Sequence, residues 1–414
     1  MTLFFKLQLY YLQCKYSKIP YTNVNYIVYN CKLLRCYFCI KLDGNFMVDL
    51  RTLHGSFKEK SIQGRYVTND MLFPFLDGLS DLFEVEVIGE SVLGKQIKSV
   101  TFGTGKFKIL MWSQMHGNES TTTKAVLDFF NLIDANSEIA KNLLASCTFK
   151  IIPILNPDGA NAYTRINANE VDLNRDAQDR SQPESKVLRN AYESFQPDYC
   201  FNLHDQRTIF NVGVTSKPAT VSFLAPSHDE ERSISDSRGI SMQLIVAMNK
   251  ELQKYIPGQV GRYDDGFNAN CVGDTFQMLN RPTILFESGH YSNDYEREET
   301  RKFIFCAIVK GCQVIANQDI ASYSQKEYFE IPENGKLFYD ILIKNADFVN
   351  KSLQIGTDIG ILFKETLDSG TLTFIPFVEK TGNLSNFYGH KTYNCLNSKD
   401  IDALKRQKEI FDLI

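Results

Sequence analysis

A histidine and a glutamate that follow a short apolar run constrain this chain more than any other feature. The run extends from Phe107 to Trp112, and the pair is His116 and Glu119 in the segment Met-His-Gly-Asn-Glu. The run predicts a buried strand, and α/β sheets bind their ligands at the ends of such strands. Imidazole nitrogen and carboxylate oxygen both bind zinc. The pentapeptide alone leaves a second interpretation open, a turn that places Glu119 near a helix N-terminus, where its charge is favourable.

A second histidine at the end of an apolar segment extends the metal interpretation. Residues 198–204 read Asp-Tyr-Cys-Phe-Asn-Leu-His, which predicts a strand that ends at His204. The chain has only six histidines, so a two-histidine site has few candidates. His116, Glu119 and His204 would provide three protein ligands and one open position, the catalytic form of a zinc site. A strand-end histidine without any metal remains the alternative at this point.

A segment rich in arginine and asparagine lies between these elements. Residues 163–176 contain Arg165, Asn174 and Arg175 interleaved with acidic residues. An arginine beside an asparagine can bind a carboxylate through the guanidinium fork and an amide donor. A solvated loop with surface ion pairs explains the same composition, so the residues alone leave both interpretations open.

Another apolar run ends in a carboxylate. Residues 282–289 read Pro-Thr-Ile-Leu-Phe-Glu-Ser-Gly, which predicts a buried strand that ends near Glu287. This carboxylate could lie at the same sheet edge as His116 and His204, or it could be a helix cap or a surface residue.

Composition excludes several classes of partner. The chain has 414 residues, of which 43% are hydrophobic and 23% are charged, with a net charge of −4. This balance supports a large core and gives no basic surface for nucleic acid. Charges interrupt the apolar runs near the N-terminus, so we predict no signal peptide and no membrane span. Ten scattered cysteines are typical of reduced thiols, which predicts a cytoplasmic protein.

The chain divides into three parts by its pattern. Residues 1–46 are rich in tyrosine, leucine, cysteine and lysine, and we hypothesise that they are a translated extension upstream of a native start at Met47. We expect residues 47–318 to form the main domain. Residues 319–414 contain short alternating runs separated by glycine, asparagine and aspartate, which predicts a small β-rich domain.

Taken in order, these motifs resemble those of the zinc carboxypeptidase family, the carboxypeptidase A/B-like metallopeptidases. The resemblance spans residues 85–315 and rests on the following elements: His116-x-x-Glu119, Asn156-Pro157-Asp158-Gly159, Arg165, Asp172-Leu173-Asn174-Arg175, His204 and Glu287. It implies an α/β fold with a mixed central sheet flanked by helices and a site at the strand ends. Residues 47–318 would then be the catalytic domain.

The resemblance implies a metal centre with one zinc ion per chain. His116, Glu119 and His204 correspond to the zinc ligands. Asp172 corresponds to the carboxylate that orients the first histidine, a role that metal-bound histidines commonly require.

The resemblance also implies the groups that act on the substrate. Arg165 corresponds to the residue that polarises the scissile carbonyl, and Glu287 corresponds to the general base. Asn174 and Arg175 correspond to the residues that bind the C-terminal carboxylate of the substrate. Tyr263 is a candidate for the tyrosine that the family carries on a mobile loop, although the residues around it do not match the family's pattern.

The activity that follows is hydrolysis of the C-terminal amide bond of a peptide by an activated water. Two alternatives remain open. One is a zinc amidohydrolase that removes the acyl group from N-acyl amino acids with the same metal set and a tighter pocket. The other is a binding protein that keeps the fold without catalysis. The expected partner is a peptide or small amide with a free carboxylate. The specificity pocket, expected near residues 271–274, has no interpretable pattern.

Overall fold

The computed structural model describes residues 39–42 and 45–414. The chain separates into two compact units, Met1–Lys58 and Glu59–Ile414. The hypothesis that residues 1–46 are an extension lies largely outside the described residues and stays a hypothesis.

The described part of the first unit is a hairpin followed by one helix. Strands β1 (Cys39–Leu42) and β2 (Asn45–Val48) pair in antiparallel orientation, and helix α1 spans Leu50–Phe57. Asp49 caps this helix, because its carboxylate accepts hydrogen bonds from the backbone N–H groups of Arg51 and Thr52.

A mixed eight-stranded sheet forms the centre of the second unit. Its strands lie in the order β10-β9-β11-β7-β5-β6-β4-β3. Their bounds are β3 Glu84–Glu90, β4 Gln96–Phe102, β5 Phe107–Ser113, β6 Cys147–Ile152, β7 Tyr199–Asp205, β9 Val221–Leu224, β10 Val260–Arg262 and β11 Thr283–Ser288. The predicted mixed sheet is therefore confirmed, with the run from Phe107 near its middle.

Helices flank this sheet, as predicted. Their bounds are α2 Asn69–Asp77, α3 Thr121–Asp134, α4 Glu138–Ser146, α5 Pro157–Ala162, α6 Pro183–Phe195, α7 Asp236–Leu252, α8 Val272–Met278 and α9 Glu298–Ala316. Within the described part of the chain, no helix is both long enough and apolar enough to cross a membrane.

The three strands that carry the predicted site residues lie side by side. Strand β7 pairs in parallel with β5 on one side and with β11 on the other. The register places Glu287 directly opposite His204 and Trp112 opposite Asn202. Because parallel strands end at the same edge of a sheet, Glu287, His204 and Asn202 lie close to the loop that follows β5.

The sheet is buried on both faces, which explains the continuous apolar runs. On one face, Trp112 packs edge-on against Phe276, and Phe276 stacks on Tyr192 of α6. On the other face, Phe102 stacks on Phe149 and packs against Phe129 of α3.

A second sheet of four strands follows, as predicted for the β-rich C-terminal region. Its order is β15-β14-β13-β16, with β13 at Phe338–Lys344, β14 at Asp358–Asp368, β15 at Thr371–Gly382 and β16 at Tyr388–Asn394. Helices α10 (Ser398–Lys405) and α11 (Lys408–Phe411) end the chain, and the short strands β8 (Asn211–Val212) and β12 (Asn334–Gly335) pair with each other. The boundary predicted between residues 318 and 319 stays a prediction.

A fully buried ion pair joins two of the helices that flank the eight-stranded sheet. Arg301 of α9 donates to Asp128 of α3 through Nε and Nη2, at 2.7 and 2.6 Å, and both side chains are 0% exposed. Removing one partner of such a pair leaves an uncompensated charge in the interior.

We therefore predict that Asp128→Asn lowers the free energy of unfolding by about 3–5 kcal/mol. Glu299→Gln is the matched control, because Glu299 pairs with Lys302 on the exposed face of α9, the helix that carries Arg301. The control substitution should lower the free energy of unfolding by no more than about 1 kcal/mol. Urea unfolding measures both values, and equal losses in the two variants would contradict the prediction.

Candidate metal centre

The loop after β5 places His116 and Glu119 on one side of a tight turn. The backbone N–H of Glu119 donates to the carbonyl of His116 at 3.1 Å. The turn lies directly against helix α5, because a Cβ atom on Gly117 would come within 1.9 Å of the carbonyl carbon of Gly159. Only glycine permits this approach. The sequence His-Gly-Asn-Glu therefore directs both polar side chains towards the end of β7.

The three predicted ligands meet at one point. Nδ1 of His116 lies 2.9 Å from Oε1 of Glu119, and Nδ1 of His204 lies 2.8 Å from Oε2 of the same carboxylate. The two Nδ1 atoms are 3.1 Å apart. Within the described residues, this is the group of side chains whose ligand atoms are close enough to share a metal ion.

Electrostatics in this cluster keep Glu119 ionised. Burial raises the pKa of a carboxyl group, but attraction and hydrogen bonding from His116 and His204 more than offset it, so the pKa of Glu119 lies below its ordinary value. Burial also lowers the pKa of His204 below its ordinary value. A neutral His204 beside an ionised Glu119 is the protonation state in which these two groups bind a metal.

Asp172 contacts the ring nitrogen of His116 that does not face Glu119. Its Oδ1 lies 3.0 Å from Nε2 of His116 and also accepts the backbone N–H of Asn174 at 2.9 Å. Its Oδ2 accepts from Nε of Arg165 at 3.0 Å. Because Nε2 is engaged with Asp172, Nδ1 of His116 is the nitrogen that faces Glu119. Asp172 thus bridges His116 and Arg165.

Arg165 lies at the mouth of the cluster. Besides the bond to Asp172, its Nη1 contacts Oε1 of Glu119 at 3.3 Å. Its side chain is 46% exposed, so the guanidinium faces both the buried acids and the opening. A cation in this position can stabilise negative charge that develops next to the metal ligands.

Asn174 and Arg175 follow in a short 3-10 helix, Leu173–Arg175, capped by Asp172. Oδ1 of Asn174 accepts the backbone N–H of Val272 at 3.0 Å, which turns the amide nitrogen away from that contact. Nη1 of Arg175 donates to the carbonyl of Asn174 at 2.7 Å and contacts Sγ of Cys271 at 3.1 Å. Both residues line the same opening as Arg165.

Glu287 occupies the end of β11 beside His204. The residue is buried, and its Oε2 has no hydrogen-bond partner in the described part of the chain. Burial, together with the negative charges of Glu119 and Asp205, raises the pKa of Glu287 well above its ordinary value. A carboxyl group that is buried, unpartnered and shifted in this way is typical of a functional site.

One cavity of about 320 Å³ collects all of these groups except Asp172. Its lining also contains Tyr263, which packs on Phe210 with ring centroids 5.4 Å apart. The region where the specificity pocket was expected contributes Cys271, Gly273 and Asp274. Burial raises the pKa of Asp274 to about 7.

Asn202 lines the cavity but was not among the residues expected from the sequence. It is buried, and neither its amide oxygen nor its amide nitrogen has a partner among the described residues. The alternation of β7 contains the signal, because Asn202 and His204 are two residues apart and therefore point to the same face of the strand.

The donor set fits zinc. Two imidazole nitrogens and a carboxylate are the ligands of many catalytic zinc sites, and ligand atoms about 2.0 Å from one ion lie about 3.3 Å from each other. The observed separations of 2.8 to 3.1 Å between donor atoms are close to this value. The second nitrogen of His116 is held by a carboxylate, which is the usual support of a metal-bound histidine.

Comparison with known proteins agrees with this geometry. A model of the zinc carboxypeptidase family matches residues 74–328. An uncharacterized protein of Zymomonas mobilis is 29% identical over 135 residues, which cover 31% of this chain and 35% of that protein. Carboxypeptidase 2 of Trichophyton rubrum is 27% identical over 100 residues, 24% of this chain and 19% of that protein. The matched segment therefore spans about a third or less of the length of these curated relatives.

The fold agrees with a solved structure. The metallo-carboxypeptidase from Burkholderia cenocepacia superposes with a TM-score of 0.50 at 17% sequence identity, over 61% of this chain and 70% of that one. At this identity the likeness concerns the fold alone. The family model covers more than half of the sequence, and on that match the chain belongs to the zinc carboxypeptidase family.

Proposed function

We propose that this protein is a zinc-dependent metallocarboxypeptidase that hydrolyses the C-terminal amide bond of peptides. One observation carries the proposal: a single cavity contains the metal-binding set, an unpartnered buried carboxylate and two residues suited to bind a carboxylate. The substrate is a peptide or small amide with a free carboxylate, bound with its last amide bond beside Glu287.

The residues of the cavity have different roles in the proposed mechanism. Zinc, when bound by His116, Glu119 and His204, supplies a Lewis acid that polarises a carbonyl and activates water. Arg165 adds positive charge at the carbonyl oxygen as that oxygen becomes negative. Asp172 keeps both His116 and Arg165 in place, because its two oxygens contact one residue each.

Glu287 moves the proton in this mechanism. It accepts a proton from the attacking water as the bond from water oxygen to carbonyl carbon forms. It then donates the proton to the amine nitrogen as the carbon–nitrogen bond breaks. Burial alone favours the protonated carboxyl group, whereas the positive charge of a bound zinc ion favours the ionised form that a base requires.

Asn174 and Arg175 make the proposed enzyme an exopeptidase. Arginine offers a rigid fork of donors, and in the described part of the chain only Nη1 of Arg175 is engaged. The amide nitrogen of Asn174 is the second donor. A carboxylate held by this pair fixes which amide bond reaches Glu287.

The six cysteines whose side chains are described are free, which supports the prediction of a cytoplasmic protein.

The exopeptidase assignment predicts that amidation of the substrate's C-terminus lowers kcat/KM by about 10²-fold, since hydrogen bonds to a charged group contribute about 1.5–3 kcal/mol each. Arg175→Gln should reduce this preference for the free acid, because it removes the cation that binds the carboxylate. Arg189→Gln removes an arginine that pairs with Glu193 on α6, outside the cavity, and should leave the preference unchanged. Equal cleavage of free and amidated peptides by the parent enzyme would contradict the exopeptidase assignment.

The general-base assignment predicts that Glu287→Gln lowers kcat by about 10²–10⁴-fold, the usual contribution of acid–base catalysis. Zinc content, measured by plasma emission after dialysis, should stay at the parent level because Glu287 is not a ligand. Glu296→Gln is the control, since Glu296 is an exposed carboxylate outside the cavity.

Loss of zinc from Glu287→Gln would make Glu287 a ligand and overturn the ligand set. Full activity of the same variant would place the base elsewhere. N-acyl amino acids, assayed beside the peptides, test the amidohydrolase alternative with the same proteins.

A further inference from the structure

The hairpin of strands β14 and β15 extends beyond the C-terminal sheet. The two strands pair from Asp358 opposite Gly382 to Asp368 opposite Thr371. Strand β13, however, pairs with β14 only over Ile359–Ile361. The outer half of the hairpin is therefore free to contact another part of the molecule.

Aromatic packing fixes this outer half against the segment that follows β11. The ring of Tyr295 lies edge-on to Phe363 and Phe374, with centroid distances of 5.2 and 5.5 Å. The hydroxyl of Tyr295 donates to Asp340 at 2.9 Å, and Asp340 also accepts the backbone N–H of Phe363 at 2.8 Å. The ring contacts of Tyr295 thus give the hairpin a defined position beside the eight-stranded sheet.

Glu365, in the outer half, reaches two side chains near the metal centre. One carboxylate oxygen forms an ion pair with Nη1 of Arg65, and the other accepts from the hydroxyl of Tyr163 at 2.7 Å. Arg65 is 6% exposed and Tyr163 is 8% exposed. Burial lowers the pKa of Arg65, but the attraction and hydrogen bond from Glu365, together with attraction to Tyr163 and Asp205, raise it above its ordinary value, so the guanidinium stays charged.

Arg65 connects Glu365 to the loop after β5 that carries His116 and Glu119, which we call the metal loop. The backbone carbonyl of Arg65 accepts from Oγ of Ser120 at 2.6 Å. Ser120 directly follows the ligand Glu119. Arg65 therefore supports the loop at the residue next to the carboxylate that contacts both histidines.

Tyr163 connects Glu365 to Arg165. Tyr163 ends helix α5 in the left-handed conformation, with φ of 57°, and Arg165 follows two residues later. Between them, Thr164 donates its N–H to Gly159 at 2.8 Å, and its carbonyl accepts the N–H of Asn118 in the metal loop at 3.2 Å. The position of this turn sets where the guanidinium of Arg165 lies.

We propose that Glu365 is a positioning residue, supplied by the C-terminal hairpin, that holds the turn from Tyr163 to Arg165 against the metal loop. The C-terminal sheet thereby contributes to catalysis without touching the substrate. This inference rests on the proposed function, because Arg165 stabilises charge in that mechanism. Misplacement of a catalytic group by a fraction of an ångström costs rate while substrate binding stays intact.

The chain contains a matched pair of contacts that separates positioning from stability. Tyr163 donates to Glu365, and Tyr295 donates to Asp340, so each tyrosine hydroxyl joins the catalytic region to a carboxylate of the C-terminal sheet. Tyr163→Phe and Tyr295→Phe each remove one such hydroxyl and keep the ring. Only Tyr163 is adjacent to the turn that carries Arg165.

We expect Tyr163→Phe to lower kcat on a free-acid peptide by about tenfold and to change KM by less than about twofold. Tyr295→Phe should leave kcat within about twofold of the parent, although both variants lose a comparable hydrogen bond and comparable stability. Glu365→Gln keeps an acceptor for Tyr163 and removes the charge opposite Arg65, so its kcat should lie between those of the parent and Tyr163→Phe. Equal kcat in Tyr163→Phe and Tyr295→Phe would overturn the inference.

Hydrogen–deuterium exchange of peptides that cover residues 160–168 provides a second measurement without substrate. Exchange should be faster in Tyr163→Phe than in the parent and unchanged in Tyr295→Phe. A parent protein that cleaves no peptide would defeat the proposed function, and the exchange comparison would still decide whether Glu365 holds the turn. Identical exchange in the two variants would overturn the positioning role even in an active enzyme.

Discussion

The carboxylate of Glu119 is the interaction on which the rest of the site depends. A buried carboxylate is unfavourable unless donors and opposite charges compensate it. Glu119 obtains this compensation from Nδ1 of His116, Nδ1 of His204 and the guanidinium of Arg165. Each of these partners must therefore lie within hydrogen-bond distance of one point. In the proposed mechanism, the position of Glu119 consequently determines where a metal ion, a polarised carbonyl and an attacking water would lie.

The fold satisfies this constraint through parallel strand pairing. Strand β7 lies between β5 and β11, so the two histidines and Glu287 leave the sheet at neighbouring positions. The metal loop can pass close to helix α5 only because Gly117 has no side chain. Contacts from outside the sheet then fix the remaining polar groups. Asp172 holds His116, and the hairpin residue Glu365 holds Arg65 and Tyr163.

The parts of the site that could be predicted from the sequence are those marked by a pattern within a few consecutive residues. Apolar runs at or just before His116, His204 and Glu287 predicted strands and their polar ends, because strand periodicity and burial act over a few residues. The family membership and the mixed sheet flanked by helices are confirmed. The roles of Arg165, Asn174 and Arg175 were expected from the resemblance and stay proposals.

Other features had no local signal. The ion pair between Arg65 and Glu365 joins residues 300 positions apart, so no sequence window contains both. Asn202 does have a local signal, its spacing of two residues from His204, but the packing of the neighbouring strands is needed to show that it lines the cavity. Contacts of this kind depend on how helices and strands pack together. This packing leaves no pattern that can be recognised in one short stretch of sequence.

X-ray diffraction at the zinc absorption edge, from crystals grown with zinc, tests the metal centre most directly. We expect one anomalous peak per chain, bounded by Nδ1 of His116, Nδ1 of His204 and the carboxylate of Glu119. A protein that crystallises in the same fold with no peak at that position, or with its zinc held by other side chains, would contradict the assignment of these three residues as ligands.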